Sequence, residues 1–326
     1  MNPFQFQRAQ DERDAIEAAA ATGARFLAGG TTLVDLMREH IEQPKALVDI
    51  NRLPYRNINV TERGLEIGAL ARMSDVAANA QVRASYPVIV ESLLASASPQ
   101  IRNMASIAGN LLQRTRCTYF RDPGVSCNKK QPGAGCPSRT GVHRTQAIFG
   151  VSDACIATHA SDLAVALVAL DSTVHVRSTA GERSFPLAEM YRLPGKTPHV
   201  EHILRPDELI VDIRVPAGVH TFHSHYLKVR DRASYEFALV SAAVAMRVES
   251  GMIRAARVAA GGVGTVPWRL HDVEKALVGQ TSGESAWRSA AALAGEGAQS
   301  LVQNAFKIEL LKRTVLRALE KVGNSV

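Results

Sequence analysis

The sequence predicts an α+β fold in which a mixed N-terminal region precedes a smaller antiparallel sheet with flanking helices. Two observations predict the C-terminal part. Apolar segments at residues 240–248 and 253–263 are joined at Ser250-Gly251, and two apolar runs around such a turn indicate antiparallel strands. Between residues 308 and 322 apolar side chains recur at helical spacing, so the last helix is expected to pack one face on a core.

In the N-terminal region, short apolar segments alternate with segments of helical pattern. Strands are predicted at residues 46–50, 65–70, 173–179, 183–185 and 209–215. Helices are predicted at residues 11–22, 33–38, 74–86, 87–96 and 163–170. Gly23 is a natural stop for the first helix, and Ser74-Asp75 can cap the third. Ala180-Gly181 is expected to be the turn of a hairpin.

Two glycine-bearing turns are candidate binding elements. The first, residues 29–32 (GGTT), lies between a short apolar strand at 25–28 and a helix. Strand, glycine turn and helix together form an anion-binding layout, because the backbone can approach a phosphate and the helix presents free N–H groups. The second turn, residues 106–110 (SIAGN), directly precedes the cysteines. Either turn could also be an ordinary connection.

All cysteine in the 326-residue chain lies in one segment rich in Gly, Pro, Lys and Arg. The four residues are Cys117, Cys127, Cys136 and Cys155. Four thiolates separated by long loops suit a cubane [4Fe–4S] cluster, whereas zinc sites more usually show paired CxxC motifs. Two disulfides, a zinc site or four unconnected thiols are the alternatives that the spacing leaves open.

The charges around the cysteines favour an anionic group. Between residues 114 and 144 the one acid is Asp122, and the bases are Arg114, Arg116, Arg121, Lys129, Lys130, Arg139 and Arg144. An oxidised cubane held by four thiolates is a net anion, so a basic loop would lower the electrostatic cost of binding it.

Composition excludes several classes of function. The net charge of +7 could attract nucleic acid, but aromatic residues are only 5% of the chain, and single-strand binders need them for stacking. We therefore expect no nucleic-acid partner. No apolar run is long enough to cross a bilayer, and the N-terminus lacks the pattern of an export signal. The sequence does not predict the cellular compartment, because a folded subunit can be exported with a partner.

Four segments, taken in order, resemble the FAD-binding subunit of the xanthine dehydrogenase and carbon monoxide dehydrogenase flavoprotein family. They are residues 28–37 (AGGTTLVDLM), 106–111 (SIAGNL), 159–162 (HASD) and 228–235 (KVRDRASY). The resemblance covers nearly the whole chain. Most members lack the cysteine segment. Residues 110–117 (NLLQRTRC) with the later cysteines resemble the branch represented by the periplasmic aldehyde oxidoreductase flavoprotein subunit, in which the insert carries a [4Fe–4S] cluster.

The resemblance implies an FAD site. The pyrophosphate is expected on Arg25, Phe26, Leu27, Ala28, Gly29, Gly30, Thr31, Thr32 and Leu33. Ser106, Gly109 and Asn110 would hold the flavin side of the cofactor. Asp162 would bind a cofactor hydroxyl, and Lys228 would lie near the isoalloxazine ring. The simpler interpretations are that Asp162 or its neighbour caps a helix and that Lys228 is a surface charge. The implied cluster ligands are Cys117, Cys127, Cys136 and Cys155.

By the same resemblance, the chain is an electron-transfer subunit of a molybdenum-dependent aldehyde oxidoreductase. A large subunit with the molybdenum cofactor would oxidise the substrate, and a small [2Fe–2S] subunit would pass electrons to FAD in this chain. A heterotrimer is therefore expected, and no catalytic residue is expected here. The flavin would convert one-electron input into two-electron output to an external acceptor.

Three other functions are compatible with the sequence. The chain could be an FAD-containing assembly subunit with a non-redox cluster, or the FAD subunit of another hydroxylase of the xanthine dehydrogenase family. It could also be an FAD reductase that acts alone. The expected domains are an FAD-binding domain at residues 1–217, with the cluster insert at about 114–155, and a C-terminal domain at residues 218–326, the pattern changing at about residue 219.

Overall fold

A computed structural model describes residues 1–218 and 223–325. The strands are β1 (Gln5–Arg8), β2 (Arg25–Leu27), β3 (Ala46–Asp49), β4 (Ile58–Thr61), β5 (Gly64–Gly68), β6 (Thr173–Ser178), β7 (Gly181–Pro186), β8 (Leu209–Pro216), β9 (Ser224–Val229), β10 (Val240–Glu249), β11 (Met252–Gly261) and β12 (Trp268–Arg269). The helices are α1 (Glu12–Thr22), α2 (Leu33–Arg38), α3 (Met73–Ala78), α4 (Ala80–Ser85), α5 (Pro87–Ala95), α6 (Pro99–Met104), α7 (Ile107–Leu111), α8 (Thr118–Arg121), α9 (Asp162–Ala169), α10 (Leu187–Met190), α11 (His271–Leu277), α12 (Glu284–Ala292) and α13 (Phe306–Gly323).

The chain begins with a small parallel sheet of order β1-β3-β2. Helix α1 crosses from β1 towards β2 and has strong signals at both ends. The Asp11 side chain accepts a hydrogen bond from the Asp14 N–H, and Gly23 ends the helix with φ of 65°. The predicted helix at residues 11–22 is therefore confirmed. The parallel pairing of β1 was not predicted, because its four residues are all exposed and carry no apolar alternation.

A second, antiparallel sheet has the order β4-β5-β8-β6-β7 and packs on helices of the N-terminal region. Helix α9 is buried along its whole length and lies in the centre of this core. One local prediction was wrong: residues 74–86 form two short helices. Ser74-Asp75 does not cap the first, which begins after Arg72. The helix is interrupted at Asn79. The Asn79 side chain accepts a hydrogen bond from the Val82 N–H and caps the start of α4.

The C-terminal part is an antiparallel sheet of order β12-β11-β10-β9 covered by helices. Strands β10 and β11 pair around Ser250 and Gly251, both with positive φ, as the hairpin prediction required. Helix α13 packs an apolar face on this sheet. The α+β class, the two-part N-terminal region and the C-terminal antiparallel sheet are thus confirmed. The predicted change of pattern at about residue 219 lies outside the described residues.

The insert at residues 114–155 has little regular structure of its own. It contains α8 and a short 3₁₀ turn at Pro137–Arg139. Its end is held by helix α13, where the buried Lys307 ammonium donates hydrogen bonds of 2.8 to 3.0 Å to the carbonyls of Thr145, Gln146 and Gly262. The C-terminal part therefore positions the insert. In residues 1–218 and 223–325, no helix has both the length and the apolar character for crossing a membrane.

Candidate functional site

Two adjoining cavities lie between the parallel sheet, the second glycine turn and strand β9. The larger has a volume of about 380 Å³ and the smaller about 120 Å³. Thr31, Thr32 and Gly109 line both, so the two form one groove. The smaller cavity is also lined by Arg25, Phe26, Leu27, Ala28, Gly29, Gly30, Leu33 and Ser106. The larger is also lined by Asn110, Asp162 and Lys228. The structure thus brings every predicted cofactor-binding residue to one groove.

The first glycine turn is packed tightly against the segment that leads to the second. A side chain at Gly29 would overlap the backbone carbonyl of Met104, and Gly30 has φ of 72°, which favours glycine. Thr31 and Thr32 line the groove, and in residues 1–218 and 223–325 neither hydroxyl makes a hydrogen bond. Thr32 also leaves the first turn of α2 without a side-chain cap. The turn therefore offers free donors to a ligand.

The second glycine turn is the start of helix α7. Ser106 is its N-cap and accepts a hydrogen bond of 3.2 Å from the Gly109 N–H. A side chain at Gly109 would crowd that hydroxyl, so glycine keeps the turn compact. Asn110 accepts a hydrogen bond of 2.6 Å from the hydroxyl of Ser161, which itself caps α9. These contacts join the second turn to the helix that carries Asp162.

Asp162 and Lys228 form a buried ion pair in the wall of the larger cavity. The ammonium donates a hydrogen bond of 2.8 Å to Asp162 Oδ2, and both side chains are less than one-tenth exposed. Ser96 and Tyr226 also donate to this carboxylate, at 2.9 and 2.6 Å. Asp162 is the first residue of α9 and Ser161 is the cap, so capping does not explain the carboxylate. Lys228 is not a surface charge, and its charge is balanced by Asp162.

Two arginines beside the cysteine segment supply positive charge to the larger cavity. Arg116 and Arg121 share one carboxylate, that of Asp35, at 3.4 and 2.7 Å. Burial and the neighbouring Arg121 lower the pKa of Arg116. Its buried Nε has no hydrogen-bond partner in the described part of the chain. Two guanidinium groups facing one carboxylate leave a net positive charge at the cavity wall.

The four cysteines are brought together, and none of them forms a disulfide. Cys117 and Cys155 lie in one buried apolar cluster, against which the partly buried Cys127 packs. Burial, with Cys127 nearby, raises the pKa of Cys136, so the fourth thiol belongs to the same region. Burial raises the pKa of Cys117 and Cys136, and raises that of Cys155 to about 11 although Lys129 acts in the opposite direction. Within the described ranges, no three His, Cys, Asp or Glu residues form a group that could hold a metal ion.

The structure corrects the predicted electrostatics of the insert. Acids that are distant in sequence fold against its basic residues, so most of its positive charge is already paired. Arg114 contacts both Glu42 and Glu201, and Lys129 contacts Glu201 at 2.9 Å. Other pairs join Arg116 and Arg121 to Asp35, Arg139 to Asp153, and Arg144 to Asp231. A count of charges from residue 114 to residue 144 could not reveal these partners: Asp153 lies later in the insert, and the other acids come from other segments of the chain.

Several cavity residues were missed as site residues by the sequence reasoning. Arg116 and Arg121 were assigned only to the charge of the insert, although they also line the larger cavity. Arg232, Tyr235 and Phe237 line its mouth. Arg232 and Tyr235 belong to the segment 228–235 that carries the family resemblance, so a signal for them was present in the sequence.

Two family models match the chain. The model described as the FAD binding domain in molybdopterin dehydrogenase matches residues 2–218. The model described as the CO dehydrogenase flavoprotein C-terminal domain matches residues 225–322. Together the two matches cover most of both predicted parts of the chain.

Curated relatives and solved structures agree with these matches. The chain is 45% identical over 324 residues to the aldehyde oxidoreductase FAD-binding subunit PaoB of Escherichia coli strain K12, covering 98% of each protein. It is 27% identical to the glyceraldehyde dehydrogenase medium chain of Sulfolobus acidocaldarius, covering 85% of this chain and 82% of the relative.

Solved structures show the same fold. The crystal structure of quinoline 2-oxidoreductase from Pseudomonas putida 86 has a TM-score of 0.76 at 21% identity, covering 99% of this chain and 98% of that chain. Carbon monoxide dehydrogenase from Hydrogenophaga pseudoflava has a TM-score of 0.76 at 23% identity, covering 98% of this chain and 97% of that chain. At such identities the likeness concerns the fold alone.

Proposed function

The chain belongs to the family of FAD-binding domains of molybdopterin dehydrogenases, and from that premise we propose that it transfers electrons in a molybdenum-dependent aldehyde oxidoreductase. The family match confirms the resemblance from which the sequence prediction came. The chain is therefore an oxidoreductase subunit of the xanthine dehydrogenase family. The finer parts of the proposal are the FAD contacts, a [4Fe–4S] cluster in the insert, and the route of the electrons.

The single observation that carries the proposal is the groove formed by the two adjoining cavities. The first glycine turn would hold the FAD pyrophosphate with the unpaired hydroxyls of Thr31 and Thr32 at the start of α2, which has no side-chain cap. Ser106, Gly109 and Asn110 would hold the flavin side of the cofactor. The donors that face the groove are those an anionic dinucleotide needs, so the residues fit the group.

In the larger cavity, the chain's own residues would set the electrostatic environment of the flavin. Asp162 would bind a cofactor hydroxyl. Hydrogen bonds from Ser96 and Tyr226 hold its carboxylate in place. Because Asp162 balances Lys228, the net positive charge comes from the pair Arg116 and Arg121. Positive charge near the ring favours the reduced, anionic flavin. Bound FAD would accept electrons singly and pass them on in pairs.

The free thiols and their spacing along the chain support a [4Fe–4S] cluster over the alternatives. The thiols are free, which disfavours two disulfides. Around one zinc ion at about 2.3 Å the sulfurs would lie about 3.8 Å apart, closer than in a cubane, where each thiolate binds a different iron. Within the described residues no three His, Cys, Asp or Glu side chains form a group that could hold one ion, and the wider sulfur spacing of a cubane suits the long separations of these cysteines better. Cys117, Cys127, Cys136 and Cys155 would be the ligands.

The proposed partners are a large molybdenum-cofactor subunit and a small [2Fe–2S] subunit. Support comes from relatives, one named an FAD-binding subunit and others named medium chains. The substrate would be oxidised in the large subunit, so the aldehyde is selected outside this chain. We also propose that residues 1–217, with the insert, and 218–326 are the two domains. The family models, which match residues 2–218 and 225–322, support a division in this region.

Anaerobic purification with an absorbance spectrum and quantification of iron, sulfide and flavin tests the proposal. We expect one FAD with about four irons and four sulfides per chain. FAD without iron would support the flavoprotein part of the proposal and rule out the cluster. If neither cofactor is present, the whole proposal fails.

A structural role for the cluster is a second candidate. One observation favours it: the insert contains only α8 and a short 3₁₀ turn as regular structure within its described residues. Bonds from iron to four thiolates could hold such a loop in place of a core. If the chain is instead an assembly subunit, the flavin should stay oxidised when the assembled complex receives aldehyde. Flavin absorbance under anaerobic turnover therefore distinguishes an assembly subunit from an electron-transfer subunit.

A further inference from the structure

Part of the wall of the larger cavity is formed by a loop, residues 231–237, that lies between strands β9 and β10. Arg232, Tyr235, Glu236 and Phe237 of this 231–237 loop line the cavity. Because residues 231–235 are also exposed, this loop separates that side of the proposed flavin site from solvent.

The 231–237 loop has little support of its own. Its first five residues are exposed, and its hydrogen bonds are mostly local, such as that from the Arg232 guanidinium to the Tyr235 carbonyl. Tyr235 has φ of 53°, a left-handed conformation that is unusual for an aromatic residue. Such a conformation persists where surrounding contacts hold it. These local contacts are exposed, so contacts from outside the loop are important for holding it in place.

Two contacts from the insert hold opposite ends of the loop. The Arg144 guanidinium binds Asp231 in a bidentate pair, with N–O distances of 2.7 and 3.0 Å. The Arg116 guanidinium lies over the ring of Phe237, 5.0 Å from its centre. A bidentate pair fixes orientation as well as distance, and a cation above an aromatic face adds a second attachment.

We propose that Arg144 and Arg116 are positioning residues that hold the 231–237 loop over the larger cavity, so that the insert controls the exposure of the flavin site. The inference rests on the proposed function only in naming FAD as the occupant. The insert would then have a function even if its cluster does not lie on the electron-transfer route. The two attachments come from both sides of the cysteines Cys117, Cys127 and Cys136, so folding of the whole insert is needed to present them.

The test compares Arg144→Ala with Arg177→Ala in the purified holoprotein. Arg177 is a matched control, because it pairs with Glu12 at 2.8 Å and is 45% exposed, against 46% for Arg144. One readout is acrylamide quenching of flavin fluorescence, and the other is the rate of tryptic cleavage after Arg232, followed by mass spectrometry. We expect Arg144→Ala to raise both rates about two- to fivefold, as expected for losing one exposed ion pair. Arg177→Ala should raise neither.

Charge reversal separates a specific attachment from general loosening. The double variant Arg144→Asp/Asp231→Arg should return the quenching rate to that of the native protein; its cleavage rate is not compared, because the arginine introduced at position 231 is itself a tryptic site. Arg144→Lys should restore both rates only in part, because lysine cannot bind bidentately. Equal rates for Arg144→Ala and Arg177→Ala, or no recovery of the quenching rate in the double variant, would overturn the inference. A native protein without flavin would instead contradict the proposed function, and the cleavage rates would still decide whether Arg144 holds the loop.

Discussion

Lys228 donates a hydrogen bond of 2.8 Å to Asp162 across the boundary between the two parts of the fold, from strand β9 to the start of helix α9. Each residue alone would be a buried charge. Together they form one neutral unit in the wall of the larger cavity, and Ser96 and Tyr226 complete the hydrogen bonds of the carboxylate. This pair is therefore expected to couple cofactor binding to the packing of α9 on the C-terminal sheet.

The first prediction concerns that pair. Asp162→Asn should lower the free energy of unfolding by about 3 kcal/mol, because it leaves the buried Lys228 ammonium, which also donates to the Ala95 carbonyl, without a negative charge to balance it. Lys228→Met should also destabilise, and the double variant should lose less than the sum of the two. Urea unfolding of the four proteins measures this coupling. Additive losses would mean that the two charges do not depend on each other.

The second prediction concerns the packing of the two glycine turns. Gly29→Ala places a methyl group against the Met104 carbonyl, so the turns must separate. We expect a loss of about 1–3 kcal/mol in stability and a lower FAD content after purification. Gly283→Ala is the control, since that position has open space and an extended backbone. Full FAD content in Gly29→Ala would show that the close contact is not needed for binding.

The third prediction separates the two roles of the proposed cluster. Cys127→Ser should remove iron and sulfide while FAD remains bound, because Cys127 lines neither cavity of the groove. Aldehyde turnover by the assembled complex is then the decisive measurement. Turnover at the native rate would exclude an obligatory redox role. Loss of turnover with a normally folded, FAD-loaded chain would exclude a purely structural one.

The fourth prediction concerns acid stability. Glu201 accepts hydrogen bonds from Lys129 and Arg114, and although burial opposes ionisation, these two cations lower the pKa of Glu201 to about 2. A carboxyl with a depressed pKa stabilises the fold above its unfolded pKa of about 4.5, by about 3 kcal/mol, and this stability is lost as the pH falls towards 2.

Urea unfolding from pH 7 to pH 2 measures this contribution. Glu201→Gln should be clearly less stable than the native protein at pH 7, and the difference in the free energy of unfolding should shrink below about pH 4.5 and vanish near pH 2. Glu182→Gln, which changes an exposed carboxylate, is the matched control. A stability difference for Glu201→Gln that does not shrink as the pH falls would contradict the prediction.

Much of the local structure could be predicted from the sequence, because its signals are local. Helix α1 lies between the cap residue Asp11 and the left-handed Gly23, and the hairpin of β10 and β11 turns at Ser250-Gly251. The break at Asn79 was missed, because an apolar helical pattern continues across it. Strand β1 was missed because its pairing with β3 depends on residues that are far away in sequence.

The sequence by itself determined the family, the glycine turns and the candidate ligands, since each is encoded by residue types at fixed positions along the chain. Only the tertiary structure decided which charges meet. Lys228 is balanced by Asp162, and Glu201 binds Arg114 and Lys129 of the insert. The physical reason is that electrostatic interactions depend on distance in space, and folding brings together groups whose separation along the chain carries no information about that distance.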